Sequence, residues 1–131
     1  MQREKIEWTN GWREDANTPV KRRWLLIGDS VAREWRGRLQ EILKVINISV
    51  DFFATSLHLE DPAFFRELRN FLSYDEYKYE LVLINWGGHH GFSRRCSDNP
   101  DTAVSYKTHY ENFLNYVEDV SFKDIHGGGV R

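Results

Sequence analysis

The stretch at residues 24–30 constrains the fold of this chain more than any other. Four large apolar residues (Trp-Leu-Leu-Ile) stop abruptly at Gly28, Asp29 and Ser30, and a helical pattern begins at once. This order predicts a buried strand, a tight turn and a helix N-terminus. Because open α/β sheets bind their ligands at the carboxyl ends of strands, the turn holds a hydroxyl group where chemistry is expected.

The remaining hydrophobic pattern predicts alternating helices and strands. Apolar residues at three- and four-residue spacing predict a helix over residues 31–46, and a β-branched and aromatic run predicts a strand over 48–53. A second helix is expected from Asp61 and Pro62 to residue 72, since Asp caps helices and Pro fits the first turn. Residues 81–84 are apolar on both faces and predict a central strand. A third helix is expected from Pro100 to residue 117, which makes an α/β domain with a parallel sheet.

The chain divides into three parts by composition. Residues 1–23 are polar and are predicted to be a strandless extension that packs on the domain, residues 24–120 form the domain, and residues 121–131 are a flexible tail. In the extension, Trp8 and Trp12 either pack on the domain, as most tryptophans do, or wall a binding cleft. The basic cluster at residues 21–23 is expected to be a solvated entry to the first strand.

Length and charge exclude several classes of protein. A chain of 131 residues is one domain with room for a core, and a net charge of −2 gives no reason to expect a nucleic-acid partner. The single cysteine, Cys96, cannot form an internal disulfide and fits a reducing compartment. With no apolar leader and no apolar run near the ~20 residues that span a membrane, we expect a cytoplasmic protein without a membrane partner.

The loop after the third predicted strand, residues 85–91, has the sequence Asn-Trp-Gly-Gly-His-His-Gly. Three glycines and two histidines at the end of a strand indicate a tight loop with a role beyond packing, for which His89 is the stronger candidate and His90 a structural residue. A metal site could be imagined from a wider set, but its spacing matches no metal template, so we expect no metal and no cofactor. That set is His58, His89, His90, Cys96 and Asp98.

Two of these motifs together resemble a known family. A hydrophobic strand followed by Gly28, Asp29 and Ser30 resembles the first signature block of the SGNH (GDSL-type) hydrolases, and residues 85–91 fall where that family carries its third block. Aligned on Gly87, the family's asparagine falls on His89, as in a bacterial branch that has Gly-x-His there. Trp-Thr-Asn at residues 8–10 and Asp-Pro-Ala-Phe-Phe at 61–65 also resemble that branch. The resemblance covers residues 8–117.

The resemblance implies a flavodoxin-like, three-layer parallel sheet and a serine ester hydrolase. Ser30 would attack the ester carbonyl, its own N–H would be one oxyanion donor, and the adjacent Asp29 would support the turn. His89 would donate from its ring in place of the asparagine, which an imidazole can do. The catalytic residues would thus be Ser30, Asp29 and His89.

The same resemblance implies the surrounding turns and the substrate class. In the family, the loop after the second strand adds a glycine N–H to the oxyanion site, and here Ser56 is the candidate for that position. The glycines at 28, 87 and 88 would complete the oxyanion or substrate-binding turns. The substrate would be a small-molecule ester or an acylated glycan, with no cofactor.

One family feature is missing from this sequence. The general base of the family is a histidine in a late Asp-x-x-His block, and this chain contains no such block. A serine without an adjacent base is a poor nucleophile at neutral pH. The expected fold is therefore C-terminally incomplete, and an alternative is a truncated or degenerate, non-catalytic SGNH-like domain. A third possibility is a flavodoxin-like binding domain that holds an anion at the Ser30 turn.

Overall fold

A computed structural model of the chain describes residue 3 and residues 5–18, 22–73, 78–85 and 100–118, with side chains from residue 107 onward in the last of these ranges. Residue 3 and residues 5–18 are called the N-terminal arm below. The described residues form one mixed four-stranded sheet and three helices. These elements are β1 (Thr9–Trp12), β2 (Arg23–Gly28), α1 (Ser30–Lys44), β3 (Ser49–Thr55), α2 (Pro62–Leu72), β4 (Leu81–Asn85) and α3 (Pro100–Val117).

The strands lie in the order β1-β3-β2-β4. After β1 the chain continues to β2, passes through α1 to β3 on one side of β2, and returns through α2 to β4 on the other side of β2. The three strands β2, β3 and β4 are parallel, and β1 is antiparallel to β3. The two connections from β2 and β3 thus run in opposite directions across the sheet, which is the arrangement of a doubly wound α/β fold.

The helices cover both faces of the sheet and give two apolar cores. On one face, Leu26, Val50 and Phe52 pack with the α1 residues Ala32 and Leu43. The opposite face carries Leu25, Ile27 and Phe53, which pack with α2 and α3. In that second core the rings of Phe64 and Phe113 meet edge to face, with centroids 5.3 Å apart. The domain therefore has three layers, helix on sheet on helix.

The predicted elements within the domain are confirmed. Each predicted strand and helix is present, with its ends within two residues of the prediction for those elements whose ends were stated. Asp61 caps α2 by accepting from the Ala63 N–H at 3.0 Å, and Pro62 occupies the first turn, as expected. The α/β class follows from the sequence pattern, because both faces of the central strands are apolar and need helices on each side.

Two sequence predictions about single strands are wrong, and the sheet, which was expected to be parallel, is mixed because β1 is antiparallel to β3. The polar extension was expected to be strandless, but Thr9–Trp12 forms β1 and pairs with the outer edge of β3. Backbone groups make that pairing, so little side-chain pattern is needed. Residues 81–84 were expected at the centre of the sheet, whereas β2 and β3 occupy the centre of the described sheet and β4 lies beside β2 alone. Its residues are half-buried, while those of β3 are all buried.

The basic cluster before β2 also differs from its prediction. Arg23 was expected to be solvated, but its side chain is fully buried at the amino end of β2, 2.9 Å from the carboxylate of Asp51. Its guanidinium also donates to three backbone carbonyls of the turn at residues 14–18, and Tyr79 donates to Asp51 at 2.7 Å. These bonds anchor the end of the N-terminal arm to the sheet.

Candidate functional site

The candidate site lies at the carboxyl edge of the parallel strands. Gly28, the last residue of β2, is directly opposite Ala54 of β3 and Asn85 of β4. Ser30 comes two residues after Gly28, and Ser56 comes two residues after Ala54. The two serines therefore follow neighbouring strands at the same level of the sheet. Asn85 begins the loop that resembles the third family block. The fold thus brings together the starts of all three segments that the sequence analysis singled out.

Gly28 allows these segments to approach closely. A Cβ atom at this position would lie 2.5 Å from the carbonyl oxygen of Asn85 and would collide with the side chain of Ala32. Only glycine fits without displacing backbone atoms of β4 or the first turn of α1. The turn after β2 is consequently packed directly against the end of β4.

Asp29 fixes the turn from which Ser30 projects. Its side chain is fully buried, and its Oδ1 accepts from the Val31 N–H at 3.0 Å. Asp29 is thus the N-cap of α1, and Ser30 is the first residue of the helix. The capping position is therefore taken by Asp29, and the Ser30 hydroxyl is not used to cap α1.

Ser30 is half-buried, and its hydroxyl group makes no hydrogen bond to any residue in the described part of the chain. Its backbone N–H belongs to the first turn of α1, where donors have no partner within the helix. The arrangement therefore combines an available hydroxyl with an available N–H on one residue. This is the local geometry that a nucleophile with its own oxyanion donor requires.

Ser56 is held by the N-terminal arm. Its N–H donates to the Trp8 carbonyl at 3.0 Å, and its hydroxyl donates to Glu7 Oε2 at 2.6 Å. The same hydroxyl accepts from the Trp8 N–H at 2.8 Å. The Ser56 N–H, which was the candidate oxyanion donor, is thus already engaged in this arrangement, and it can serve an oxyanion only if the arm releases it.

The remaining predicted site residues lie outside the described residues. They are Gly87, Gly88 and His89, and His90, Cys96 and Asp98 of the imagined metal set lie outside as well. Within the ranges that the structure describes, no three His, Cys, Asp or Glu side chains are grouped so that they could hold a metal ion.

Charged groups follow β3 on the same edge. Two hydrogen bonds from Arg3, 2.7 and 3.0 Å long, reach the buried carboxylate of Asp61 and lower its pKa. His109 of α3 lies with its Nε2 atom 4.0 Å from Glu60 Oε2. Neither His109 nor His58 hydrogen-bonds to Ser30, so no histidine in the described ranges is placed as its base.

The sequence analysis missed the contacts that the N-terminal arm makes with this edge. The ring of Trp8 packs on the α1 face of the sheet, with the guanidinium of Arg33 4.1 Å from its centroid. Trp12 has the guanidinium of Arg36 over its ring at 4.2 Å and remains 48% exposed. Trp8 therefore packs on the domain and also lines a pocket, so the two alternatives for this residue do not exclude each other. The sequence feature that could have indicated these contacts is the Trp-Thr-Asn motif at residues 8–10, which was used only for the family resemblance.

Comparison with known proteins adds no assignment. No protein-family model matches the chain, and no curated protein matches it. Within the described residues, no helix combines the length and the apolar character that crossing a membrane would need.

Proposed function

We propose that this chain is an SGNH-type serine ester hydrolase domain with Ser30 as its nucleophile. The observation that carries the proposal is the shared row of Gly28, Ala54 and Asn85. Ser30 follows Gly28 by two residues, and Asn85 is the first residue of the segment that resembles the third block. The three parallel strands run in the order 2-1-3 when counted along the chain, which is also the order of flavodoxin-like sheets.

The position of Ser30 in this topology supports the proposal. Ligands of open α/β sheets bind where two neighbouring strands send their connections to opposite faces. Here β2 leads into α1 on one face, and α3 follows β4 on the other, so the carboxyl ends of β2 and β4 form such a point. Ser30 lies at the carboxyl end of β2, as the first residue of α1.

The proposed chemistry is acyl transfer through Ser30. Its Oγ atom attacks the ester carbonyl carbon while a base removes the hydroxyl proton, and the Ser30 N–H donates to the developing oxyanion. The intermediate then expels the alcohol, which takes up the proton, and water releases the acid from the acyl-serine. Asp29 acts as a positioning residue, because its cap holds Ser30 at the first position of α1. His89, Gly87 and Gly88 are proposed to complete the oxyanion site, as the resemblance implies.

The second candidate is a non-catalytic SGNH-like domain. The observation that favours it is the absence of a histidine bonded to Ser30 within the described residues, together with the absence of an Asp-x-x-His block in the sequence. Without a base, the hydroxyl group keeps its proton at neutral pH and attacks esters slowly. The two candidates differ in whether the Ser30 hydroxyl is activated.

Hydrolysis of p-nitrophenyl acetate by the purified chain tests the proposal. We expect turnover that Ser30→Ala abolishes, with a loss that can approach the order of 10⁶-fold seen when a catalytic serine is removed from a serine hydrolase. Ser73→Ala is the matched control, since Ser73 lies exposed at the end of α2 and its hydroxyl donates only to the Asn70 carbonyl among the described residues. A slow rate that is equal in all three proteins would overturn the proposal and favour the non-catalytic domain.

A further inference from the structure

A pocket of about 310 Å³ opens between the N-terminal arm and the first two turns of α2. This volume lies at the lower end of the range of small-molecule sites, and it is enough for one sugar-sized ring. The pocket adjoins the candidate site, because Glu7 and Trp8 line it and both hydrogen-bond to Ser56. Leu57, the next residue of the loop after β3, lines it as well.

The charges that surround the pocket do not favour an anion. Two guanidinium groups, from Arg3 and Arg66, are balanced by two carboxylates, from Glu7 and Glu67. Arg3 is in addition bound to the carboxylate of Asp61 through two hydrogen bonds, so its charge is already compensated. The field in the pocket is therefore near neutral or slightly negative, and a phosphate or carboxylate would gain little from it.

The polar groups suit a ligand that both donates and accepts hydrogen bonds. Arg66 and Glu67 are neighbours on α2, and neither forms a hydrogen bond or ion pair with another described residue. A guanidinium offers only donors and a carboxylate only acceptors, and a hydroxyl group can pair with both. Apolar surface from Leu57 and Ala63 lies beside them. A ring that carries several hydroxyl groups and apolar C–H faces matches this combination.

We infer that this pocket binds a neutral, polyhydroxylated ring, that is, a saccharide unit. Its assignment as the subsite for the alcohol part of an acylated glycan rests on the proposed function, whereas saccharide binding itself does not. Glu7 connects the two, because it lines the pocket and accepts from the Ser56 hydroxyl at 2.6 Å. A bound saccharide would therefore contact the group that holds the loop after β3 in place.

The test is a titration of the full ¹⁵N-labelled chain with methyl β-D-glucopyranoside, followed by amide chemical shifts. We expect saturable shifts, with a dissociation constant on the order of millimolar, confined to residues 3–9, 56–58 and 63–67. The double variant Arg66→Ala/Glu67→Ala should weaken binding at least tenfold. The matched control is Arg38→Ala/Glu41→Ala, which removes an exposed arginine and glutamate from α1 and should bind as the unmodified chain does.

Three results would overturn the inference. The first is the absence of a saturable shift up to roughly 50 mM saccharide, a concentration well above a millimolar dissociation constant. The others are an equal loss of saccharide affinity in both double variants, and tighter binding of inorganic phosphate or tetramethylammonium at the same residues. Ser30→Ala separates this inference from the proposed function. It should bind the saccharide normally, so saccharide binding without Ser30-dependent hydrolysis would keep the pocket and reject the hydrolase.

Discussion

The buried polar groups at the amino end of the parallel sheet differ from the Ser30 hydroxyl at its carboxyl end. At the amino end, the buried side chains of Arg23, Asp51 and Tyr79 bond to one another and to the turn at residues 14–18. At the carboxyl end, the Ser30 hydroxyl is half-buried and has no hydrogen-bond partner among the described residues. Both ends lie on the same three strands, so the difference comes from the residues placed there.

The difference separates stability from chemistry. A buried polar network stabilises a fold when its members are hydrogen-bonded. At the amino end, Asp51 accepts from Arg23 and Tyr79, and both terminal nitrogens of the Arg23 guanidinium donate to oxygen atoms. A nucleophilic hydroxyl must instead be open to a substrate and to a general base, and no described residue occupies the Ser30 hydroxyl. The amino end is therefore a structural anchor, and the carboxyl end is the end that leaves a hydroxyl group open to a ligand.

The largest expected effect is on the amino end. Asp51→Asn removes the charge that compensates the fully buried Arg23, and we expect the free energy of unfolding to fall by about 3–5 kcal/mol. Burial raises the pKa of the Asp51 carboxyl, whereas the hydrogen bond from Tyr79 and the charge of Arg23 lower it. The charged form of Asp51 is therefore stabilised by these two partners. Urea unfolding measures the change.

A matched control for that prediction is Glu80→Gln, which removes the exposed ion pair between Arg22 and Glu80. We expect it to change the urea midpoint much less than Asp51→Asn does, because exposed pairs are screened by solvent. If Asp51→Asn cost no more than Glu80→Gln, the amino end would not be the anchor described above.

The next effect is on the carboxyl end, where packing rather than charge decides. Gly28→Ala puts a methyl group against the Asn85 carbonyl and the Ala32 side chain, and we expect a loss of about 1–3 kcal/mol. Gly37→Ala is the matched control, because a Cβ there meets no atom within 4 Å. Since Gly37 lies inside α1, its replacement should stabilise the chain by roughly 0.5–1 kcal/mol. Thermal unfolding of both variants measures whether Gly28→Ala lowers the stability while Gly37→Ala raises it. A change in the same direction in both variants would contradict the close approach at Gly28.

The smallest effect concerns the pH dependence of the carboxyl edge. Hydrogen bonds from Arg3 lower the pKa of Asp61 in the folded chain, so the stability that this group contributes is present above its unfolded pKa of about 3.9. It is lost as the pH falls through the lower, folded pKa. Arg3→Gln should move the pKa of Asp61 back towards its ordinary value, as followed by the ¹³C shift of its carboxyl carbon. An unchanged titration curve would show that the bond to Arg3 does not form in solution.

The sequence predicted the parts of the fold that depend on local pattern. The run at residues 24–27 and the turn that follows it placed Ser30 at the end of a strand, and Asp61 with Pro62 marked the start of α2, as observed. β1 was missed because its pairing with β3 uses backbone groups, and Asn10 with Gly11 is more typical of a turn.

Other features depend on contacts between distant segments, which no local pattern records. Arg23 was expected to be solvated, because its burial relies on carbonyl groups 5–9 residues earlier in the chain and on Asp51, 28 residues later. β4 was expected at the centre of the sheet, but its position beside β2 is set by the order of the strands, which the residues of β4 themselves do not determine. The engagement of Ser56 by Glu7 and Trp8 joins residues 48 and 49 positions apart, and only the folded chain shows that the N-terminal arm reaches the candidate site.

The most direct test of the central claim is labelling of the folded chain with a fluorophosphonate probe, followed by mass spectrometry of the modified peptide. The probe reacts with activated serines, and Ser30→Ala and Ser73→Ala provide the paired controls. The account predicts one modified serine, Ser30, with labelling lost in Ser30→Ala and retained in Ser73→Ala. No labelling of a chain shown to be folded by circular dichroism, or labelling at another serine, would contradict the assignment of Ser30 as a nucleophile.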